Sequence, residues 1–257
     1  MPSPRIVRIS GHELAFVASA LLIASTADAQ RDTRRSAATD DSPPRVNVGG
    51  SLTFAAPQAE FKDYVNGAFG ANGNLGIGLD PQGIVQFKVE LGYLIYGSKT
   101  YRQSLGGGAL GLIAVDVTTS NNIAHGGLGL QLTAPSGPIR PYATGSIGFS
   151  YFFTESQVEG TSNTQQPFAS TKNFGDGAFA GQYGGGIYIP LRRGPKPISL
   201  DLGAQYHKNG DMEYLTKNSI TVTSPTQPPT ITPVRSSANF VSFRLGLSFG
   251  VRPGQQD

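Results

Sequence analysis

The chain of 257 residues contains no cysteine, and only 14% of its residues are charged. Without cysteine, neither a disulfide framework nor a lipid-attached N-terminal cysteine is available. The formal net charge of +3 is too small to predict binding to nucleic acid. The apolar run at residues 14–24 is shorter than the roughly 20 residues that a membrane-spanning helix needs. The sequence therefore predicts neither a nucleic-acid-binding protein nor a helical membrane anchor.

The first 29 residues have the pattern of a secretory signal peptide. Arg5 and Arg8 precede the apolar run, and the small-residue sequence Ala-Asp-Ala follows it at 27–29. This pattern predicts export and cleavage after residue 29. Residues 30–44 are rich in charge, serine, threonine and proline without periodicity, so we predict a disordered periplasmic leader there.

Glycine is abundant, with 34 residues, and it accompanies segments in which large apolar side chains alternate with small or polar ones. The clearest segment is 241–251, VSFRLGLSFGV. Successive side chains of a strand point to opposite faces, so such a segment has one apolar and one polar face. Several such segments behind an export signal are typical of a transmembrane β-barrel. The low mean hydropathy of −0.17 is compatible with such a barrel, because only every second strand residue would face lipid.

Eight alternating segments are expected, and the connections between them differ in length. The segments lie at about 46–54, 72–79, 84–96, 123–133, 142–153, 179–191, 198–207 and 241–251. The long, polar connections are 55–71, 97–122, 154–178 and 208–238. Short periplasmic turns and long external loops are typical of outer-membrane barrels. The sequence therefore predicts an all-β fold, an eight-stranded antiparallel up-and-down transmembrane β-barrel at 45–252, with a tail at 253–257; ten strands are the alternative.

The chain resembles the small OmpA/OmpX-like outer-membrane β-barrels. The resemblance covers about residues 45–252 and rests on the order of strands and turns, on the segment PYATGSIGF at 141–149, and on the aromatic final strand. It implies a location in the bacterial outer membrane, contact with outer-membrane lipid, and insertion by the barrel-assembly machinery. In such proteins an aromatic residue of the last strand is read during insertion, and Phe249 matches it here. We expect no cofactor and no metal.

Four charged side chains are predicted to face the barrel interior. Lys88 and Glu90 share the inner face of the third strand, while Asp201 and Arg244 face inward from the seventh and eighth. Buried charges persist when they are paired and hydrogen-bonded, and an eight-stranded interior is narrow enough for side chains to fill. These residues therefore favour a polar network that plugs the lumen, with an ion gate as the alternative.

Two histidines, His125 and His207, are predicted to face inward near the external rim. Two histidines do not make a three-histidine zinc site, and no further ligand lies at a suitable spacing. A lipid-modifying barrel enzyme needs a nucleophile held by a base, but no motif selects one of the many serines. The run at 106–111 matches G-x-G-x-x-G without the strand and helix that a nucleotide site requires, so we predict a flexible loop.

These observations predict a non-enzymatic barrel with a structural role that contacts an unidentified surface partner through its long external loops. The alternatives are a lipid-modifying barrel enzyme and a small passive pore. Within the fourth long connection, β-branched runs at 220–223 and 230–232 flank a proline-rich turn, which predicts a hairpin that extends the last two strands. An aromatic girdle is expected at the external strand ends, made of Phe54, Tyr93, Tyr151, Phe153, Phe179 and Tyr206.

Overall fold

In a computed structural model the chain forms a closed barrel of eight antiparallel strands. The structure describes residues 44–104, 114–160, 169–194, 196–217, 219–221 and 230–251. The predicted signal peptide, nearly all of the predicted leader, the glycine-rich run at 106–111 and the tail lie outside these ranges. Within the described residues, no helix is both long and apolar enough to cross a membrane.

The described strands, in chain order, are Val46–Pro57 (β1), Ala68–Gly78 (β2), Val85–Ser104 (β3), Ala114–Thr133 (β4), Arg140–Gly160 (β5), Ala169–Arg192 (β6), Ile198–Asn209 (β7), Asp211–Tyr214 (β8), Ile220–Thr221 (β9), Thr230–Ile231 (β10), Val234–Ser237 (β11) and Phe240–Val251 (β12). Strands β1 to β7 pair in order, and β12 closes the ring between β7 and β1. The prediction of an eight-stranded antiparallel barrel is confirmed.

The barrel is apolar outside and polar inside. On β12, Leu245 and Phe249 are about half exposed, at 54% and 50%, whereas Ser242 and Arg244 are buried. The same alternation runs through the membrane-spanning part of the other barrel strands, and the outward residues there form an apolar band around the barrel. This distribution is the reverse of that in a soluble protein, and it is the one that a surrounding lipid bilayer requires.

The strands are staggered around the ring. Paired residues followed from Gly185 of β6 through β7, β12, β1, β2, β3, β4 and β5 return to β6 at Gly175, a shift of 185 − 175 = 10 residues. For eight strands such a stagger corresponds to a tilt of roughly 40° and to an interior just wide enough for side chains to fill.

Strands β3 to β6 are longer than predicted. Much of the supposed loops at 97–122 and 154–178 is strand, because β3 reaches Ser104 and β5 reaches Gly160. Polar side chains pair across these extensions: the hydroxyls of Thr100 and Thr118 are 2.9 Å apart. Both faces of the extensions lie outside the apolar band, so their residues do not alternate between apolar and polar. For that reason the sequence pattern missed them.

An apolar cluster closes the end of the barrel that carries the long connections, which we call the external end. The opposite end is the periplasmic end. The β1–β2 connection contains the 3-10 helix Ala59–Asp63, whose Phe61 ring lies 5.2 Å from that of Tyr214 and 5.6 Å from that of Phe152. We call this cluster the external cap; its main members are Phe61, Leu94, Ile123, Phe152, Met212 and Tyr214, all less than 2% exposed.

The fourth long connection forms the predicted hairpin only in part. β8 pairs with β11, and β9 pairs with β10, while the tip at 222–229 lies outside the described residues. The prediction that β7 and β12 continue into a hairpin is confirmed for the described residues, apart from an irregularity at the junction: His207 pairs with Phe240 and Asp211 pairs with Ser237, so the register shifts by one residue. The ladder is interrupted between Asn209 and Phe240, and β8 buries Met212 and Tyr214 in the external cap.

The six residues of the predicted aromatic girdle lie on the outward face. They lie towards the external side of the apolar outward positions of their strands, although on β3 the outward Ile95, 44% exposed, lies beyond Tyr93. The ring centroids of Tyr93 and Phe153 are 6.2 Å apart, and those of Tyr151 and Phe153 are 5.5 Å apart. The expectation that these residues end their strands is wrong for β3, β5 and β6, because these strands continue beyond the apolar band.

Candidate functional site

The candidate site is the lumen, whose side chains form layers that can be followed along β3. The residues of β3 that face the lumen are, from the periplasmic end to the external end, Gln86, Lys88, Glu90, Gly92 and Leu94. The first belongs to a polar layer, the next two to a charged layer and the last to the external cap, while Gly92 contacts a histidine of an intermediate layer.

Glu90 lies at the centre of the charged layer. Its Oε2 is 2.6 Å from Lys88 Nζ and 3.0 Å from Arg244 Nη1, and its Oε1 accepts a hydrogen bond of 3.1 Å from Asn72 Nδ2. All four residues are at most 5% exposed. Both carboxylate oxygens therefore have partners, which a buried charge requires.

Asp201 joins the same network through a tyrosine. Tyr142 donates a hydrogen bond of 2.7 Å from its hydroxyl to Asp201 Oδ1, and Arg244 Nη2 donates one of 3.1 Å to that hydroxyl oxygen. Arg244 Nη1 also donates to Gln205 Oε1 at 2.9 Å. The structure thus brings Lys88, Glu90, Asp201 and Arg244 into one network of two cations and two carboxylates, and Asp201 reaches Arg244 through Tyr142.

Two glycines make room for this arrangement. A Cβ atom at Gly203 would lie 2.4 Å from the Tyr142 hydroxyl oxygen and 3.1 Å from Arg244 Nη2, and a Cβ at Gly186 would lie 2.5 Å from the same hydroxyl oxygen. Tyr142 of β5 can reach across β6 to Asp201 of β7 only because β6 and β7 have glycine at these inward positions. Part of the high glycine content therefore reflects the packing of large polar side chains.

A second polar layer lies at the periplasmic end. Asn47 Nδ2 donates to Gln86 Oε1 at 2.8 Å, and Gln131 Nε2 donates to the Tyr188 hydroxyl at 3.3 Å. Asn47, Gln86 and Tyr188 line a cavity of about 10 Å³. That volume suits about one water molecule.

The two histidines meet between the charged layer and the external cap. The ring centroids of His125 and His207 are 4.9 Å apart, and His207 stacks on Phe240 at 4.2 Å. His207 Nε2 lies 2.9 Å from Ser242 Oγ, which is a distance suitable for a nucleophile and its base. Within the described residues, however, His207 Nδ1 has no hydrogen-bond partner, so no carboxylate orients the ring.

Metal binding at the histidines has no support from their surroundings. In the described part of the chain, no group of three or more His, Cys, Asp or Glu residues has the geometry to hold a metal ion. Both rings are buried, at 4% and 0% exposure, beneath the external cap.

The sequence patterns missed several residues of the lumen. Tyr142, Asn72, Gln205 and Ser242 contact the predicted residues, but only their inward position could be read from alternation. Their contacts cross the lumen, and the relative heights of distant strands depend on the ten-residue stagger, which no local pattern encodes.

The chain matches the family described as outer membrane protein beta-barrel domain over residues 15–224. The chain belongs to this family. Together with the apolar band and the polar interior, membership places this outer-membrane barrel in the bacterial outer membrane. No curated protein matches its sequence significantly.

Several solved outer-membrane proteins are similar to this barrel. Neisserial surface protein A is 12% identical, with 80% of this chain and 96% of that chain covered and a TM-score of 0.41. Ail, the attachment invasion locus protein of Yersinia pestis, is 8% identical, with 80% and 98% covered and a TM-score of 0.40. A major outer membrane protein from Thermus thermophilus is 11% identical, with 79% and 98% covered and a TM-score of 0.41.

Proposed function

We propose that this protein is a non-enzymatic outer-membrane barrel with a plugged lumen, whose extended external sheet contacts a partner at the cell surface. The observation that carries the proposal is the four-stranded sheet formed by β3 to β6 beyond the apolar band. The sheet is rich in polar residues and is held by pairs such as Arg102 with Asp116, whose Nε and Oδ1 are 3.0 Å apart.

The two edges of this sheet support a role in binding a partner protein. Pairing of β2 with β3 ends at Ile95, and pairing of β6 with β7 begins at Ala180. The described residues 97–104 of β3 and 169–175 of β6 therefore have no ladder partner on the side away from the sheet. Nearer the apolar band the β6 edge is covered, because the Gly210 N–H donates to the Phe179 carbonyl oxygen and the Glu213 N–H donates to Asp176 Oδ2. Unpaired strand edges are templates for the addition of a further strand from another chain.

The lumen layers support the plugged state. The charged layer has paired ions, the periplasmic layer leaves room for about one water, and the external cap closes the other end with packed aromatic rings. A passive pore needs a continuous aqueous path, and each of these three layers would have to move to open one.

The contact role is tested on whole cells. Cells displaying the full protein are compared with cells in which residues 99–119 and 156–171 are each replaced by an Asn-Gly turn; the flanking residues Ser98 and Ser120, and Glu155 and Lys172, are paired, so the change removes the sheet and keeps the barrel. Adhesion is measured to surfaces coated with serum proteins, with extracellular-matrix proteins and with sister cells. We expect the shortened variant to lose adhesion to one of these surfaces; equal adhesion by both proteins on all three would overturn the proposal.

The pore and enzyme alternatives are tested with purified protein in liposomes. We expect neither ion conductance nor lipid turnover. The contact between His207 and Ser242 is the observation that favours an enzyme. Turnover that disappears in Ser242→Ala would establish the enzyme, and stable conductance steps in the unmodified protein would establish the pore.

A further inference from the structure

Three arginines line one small cavity at the periplasmic end. Arg140 begins β5, and Arg192 and Arg193 lie where β6 ends, so the cavity sits between the β4–β5 and β6–β7 turns. Its volume of about 10 Å³ suits about one water molecule, so a larger group would lie at its mouth and not inside it. Its lining contains no carboxylate; the other lining residues are Gly137, Pro190, Pro197 and Ser199. We call this cavity the arginine pocket.

A β-bulge turns one of these arginines towards the lipid side. Pro190 pairs with Ser199, which faces inward, but the register then shifts by one residue and Arg192 pairs with the outward Ile198. Directly paired residues share a face of the sheet. Without the extra residue Leu191, alternation would place Arg192 on the inner face. A bulge that re-aims a side chain in this way is typical of a functional position.

The arginine pocket borders the apolar band. Leu191 and Ile139, next to the pocket in the two turns, are 61% and 53% exposed. Exposed apolar side chains at this height meet acyl chains, so Arg192 and Arg193 lie at the level of the lipid headgroups. Arg140 is buried behind them and donates to Ser199 Oγ at 3.4 Å, which holds its guanidinium at the inner wall.

Charge is distributed unequally between the ends of the barrel. At the periplasmic end the described basic residues are Arg45, Arg140, Arg192, Arg193 and Lys196, against the single acidic residue Asp80. The Asp80 carboxylate accepts backbone hydrogen bonds in the β2–β3 turn, including one of 2.7 Å from the Val85 N–H. At the external end acidic and basic residues are mixed. The positive charge is therefore concentrated on the periplasmic side of the band.

We propose that the exposed arginines at the mouth of the arginine pocket bind the phosphate of an anionic glycerophospholipid in the periplasmic leaflet. Arg192 and Arg193 contact the phosphate oxygens from the membrane side, since a guanidinium donates two parallel hydrogen bonds to such a group. Lys196, exposed in the same turn, adds attraction at the headgroup. Leu191 and Ile139 contact the acyl chains. Basic residues beside an apolar membrane surface recognise anionic lipids through this combination.

The binding test uses the purified full-length protein in a neutral detergent. Native mass spectrometry measures how much phosphatidylglycerol or phosphatidylcholine stays bound after equal additions of each, with glycerol phosphate added in a separate arm. We expect retention of phosphatidylglycerol with at least about tenfold preference over phosphatidylcholine. Equal retention of the two lipids overturns the proposal. Retention of glycerol phosphate as tight as that of the lipid shows a free-phosphate site instead.

A matched pair of variants locates the site. Arg192→Gln with Arg193→Gln and Lys196→Gln removes three positive charges at the pocket, while Lys99→Gln with Arg102→Gln and Arg235→Gln removes three exposed ones at the external end. The pocket variant should lose roughly tenfold or more in phosphatidylglycerol retention, and the external variant should retain it. An equal loss in both variants, or no loss in either, overturns the proposal.

Two further measurements complete the test. The single variant Arg192→Lys keeps the charge and the fold but loses the paired hydrogen bonds, so its retention should fall between those of the wild type and the pocket variant. Sedimentation with purified peptidoglycan is measured for the same proteins. If the pocket substitutions abolish binding to peptidoglycan and leave phosphatidylglycerol retention unchanged, the pocket serves the cell wall and the lipid proposal is wrong.

Discussion

The barrel interior has two regions with opposite chemistry. In the charged layer around Glu90 and Arg244, almost every contact is an ion pair or a hydrogen bond, whereas the external cap around Phe61 and Tyr214 is packed like the core of a soluble protein. Within the apolar band, the apolar side chains face the lipid and the polar side chains face the interior. From the level of the aromatic girdle outwards, where headgroups and water replace acyl chains, apolar side chains such as Leu94 and Phe152 return to the inside. The surroundings of each region thus decide its interior.

The largest expected effect is in the charged layer. Arg244→Ala leaves Glu90 without one of its two cations and removes a donor from Tyr142 and Gln205. Removing one partner of a buried pair costs about 3 to 5 kcal/mol. Thermal unfolding and heat-modifiable gel migration measure the loss. Arg235→Ala, at an exposed pair with Glu213, serves as the control and should change little. Unfolding of Arg244→Ala at the wild-type temperature would contradict the idea of a plug held by paired charges.

The cap should respond to loss of volume and not to loss of charge. Phe61→Ala removes the ring that contacts Phe152 and Tyr214 and should cost about 3 kcal/mol. The charged layer beneath stays intact, so conductance in liposomes should remain at the wild-type level. If Phe61→Ala conducts ions while remaining folded, the external cap closes the lumen and the charged layer does not.

The boundary between the two regions can be tested at Gly92. A Cβ atom there would lie 2.2 Å from His125 Nε2, so Gly92→Ala must displace the His125 ring. Overpacking of this kind costs roughly 1 to 3 kcal/mol. Adding His125→Ala removes the obstacle and should restore part of the lost stability. A double-mutant cycle measured by chemical unfolding tests the coupling; simple additivity of the two changes would show that the ring moves freely.

The smallest expected effect lies in the β2–β3 turn, outside both regions. Slight burial opposes ionisation of Asp80, but hydrogen bonds from the backbone N–H groups of Val85 and Ile84 outweigh it and hold the pKa of Asp80 below its ordinary value. A lowered folded-state pKa means that the carboxylate stabilises the fold above its unfolded-state pKa and loses this effect as the pH falls through the folded-state pKa. Asp80→Ala should therefore lower the melting temperature slightly at neutral pH, and the difference from the wild type should shrink as the pH falls through the folded-state pKa. A difference that persists in acid would assign the effect to the turn backbone.

Within the apolar band, the strands and the direction of their side chains follow from the sequence. A strand alternates with period two, and lipid on one side forces the apolar residues onto that side, so Leu245 and Arg244 could be assigned to opposite faces without a structure. Outside the band this constraint disappears. The extensions of β3 to β6 have polar residues on both faces, and their sequence does not differ from that of a loop.

The sequence by itself determined an antiparallel barrel, the order of its strands and the inward position of Lys88, Glu90, Asp201 and Arg244, and it favoured eight strands over ten. Which of these residues touch was decided only by the tertiary structure. Glu90 and Arg244 are 154 residues apart in the chain, and Tyr142 and Asp201 are 59 apart. Contacts over such distances depend on ring closure and on the stagger of all eight strands. Local alternation fixes the face of a strand on which a residue lies, but not its height relative to a distant strand.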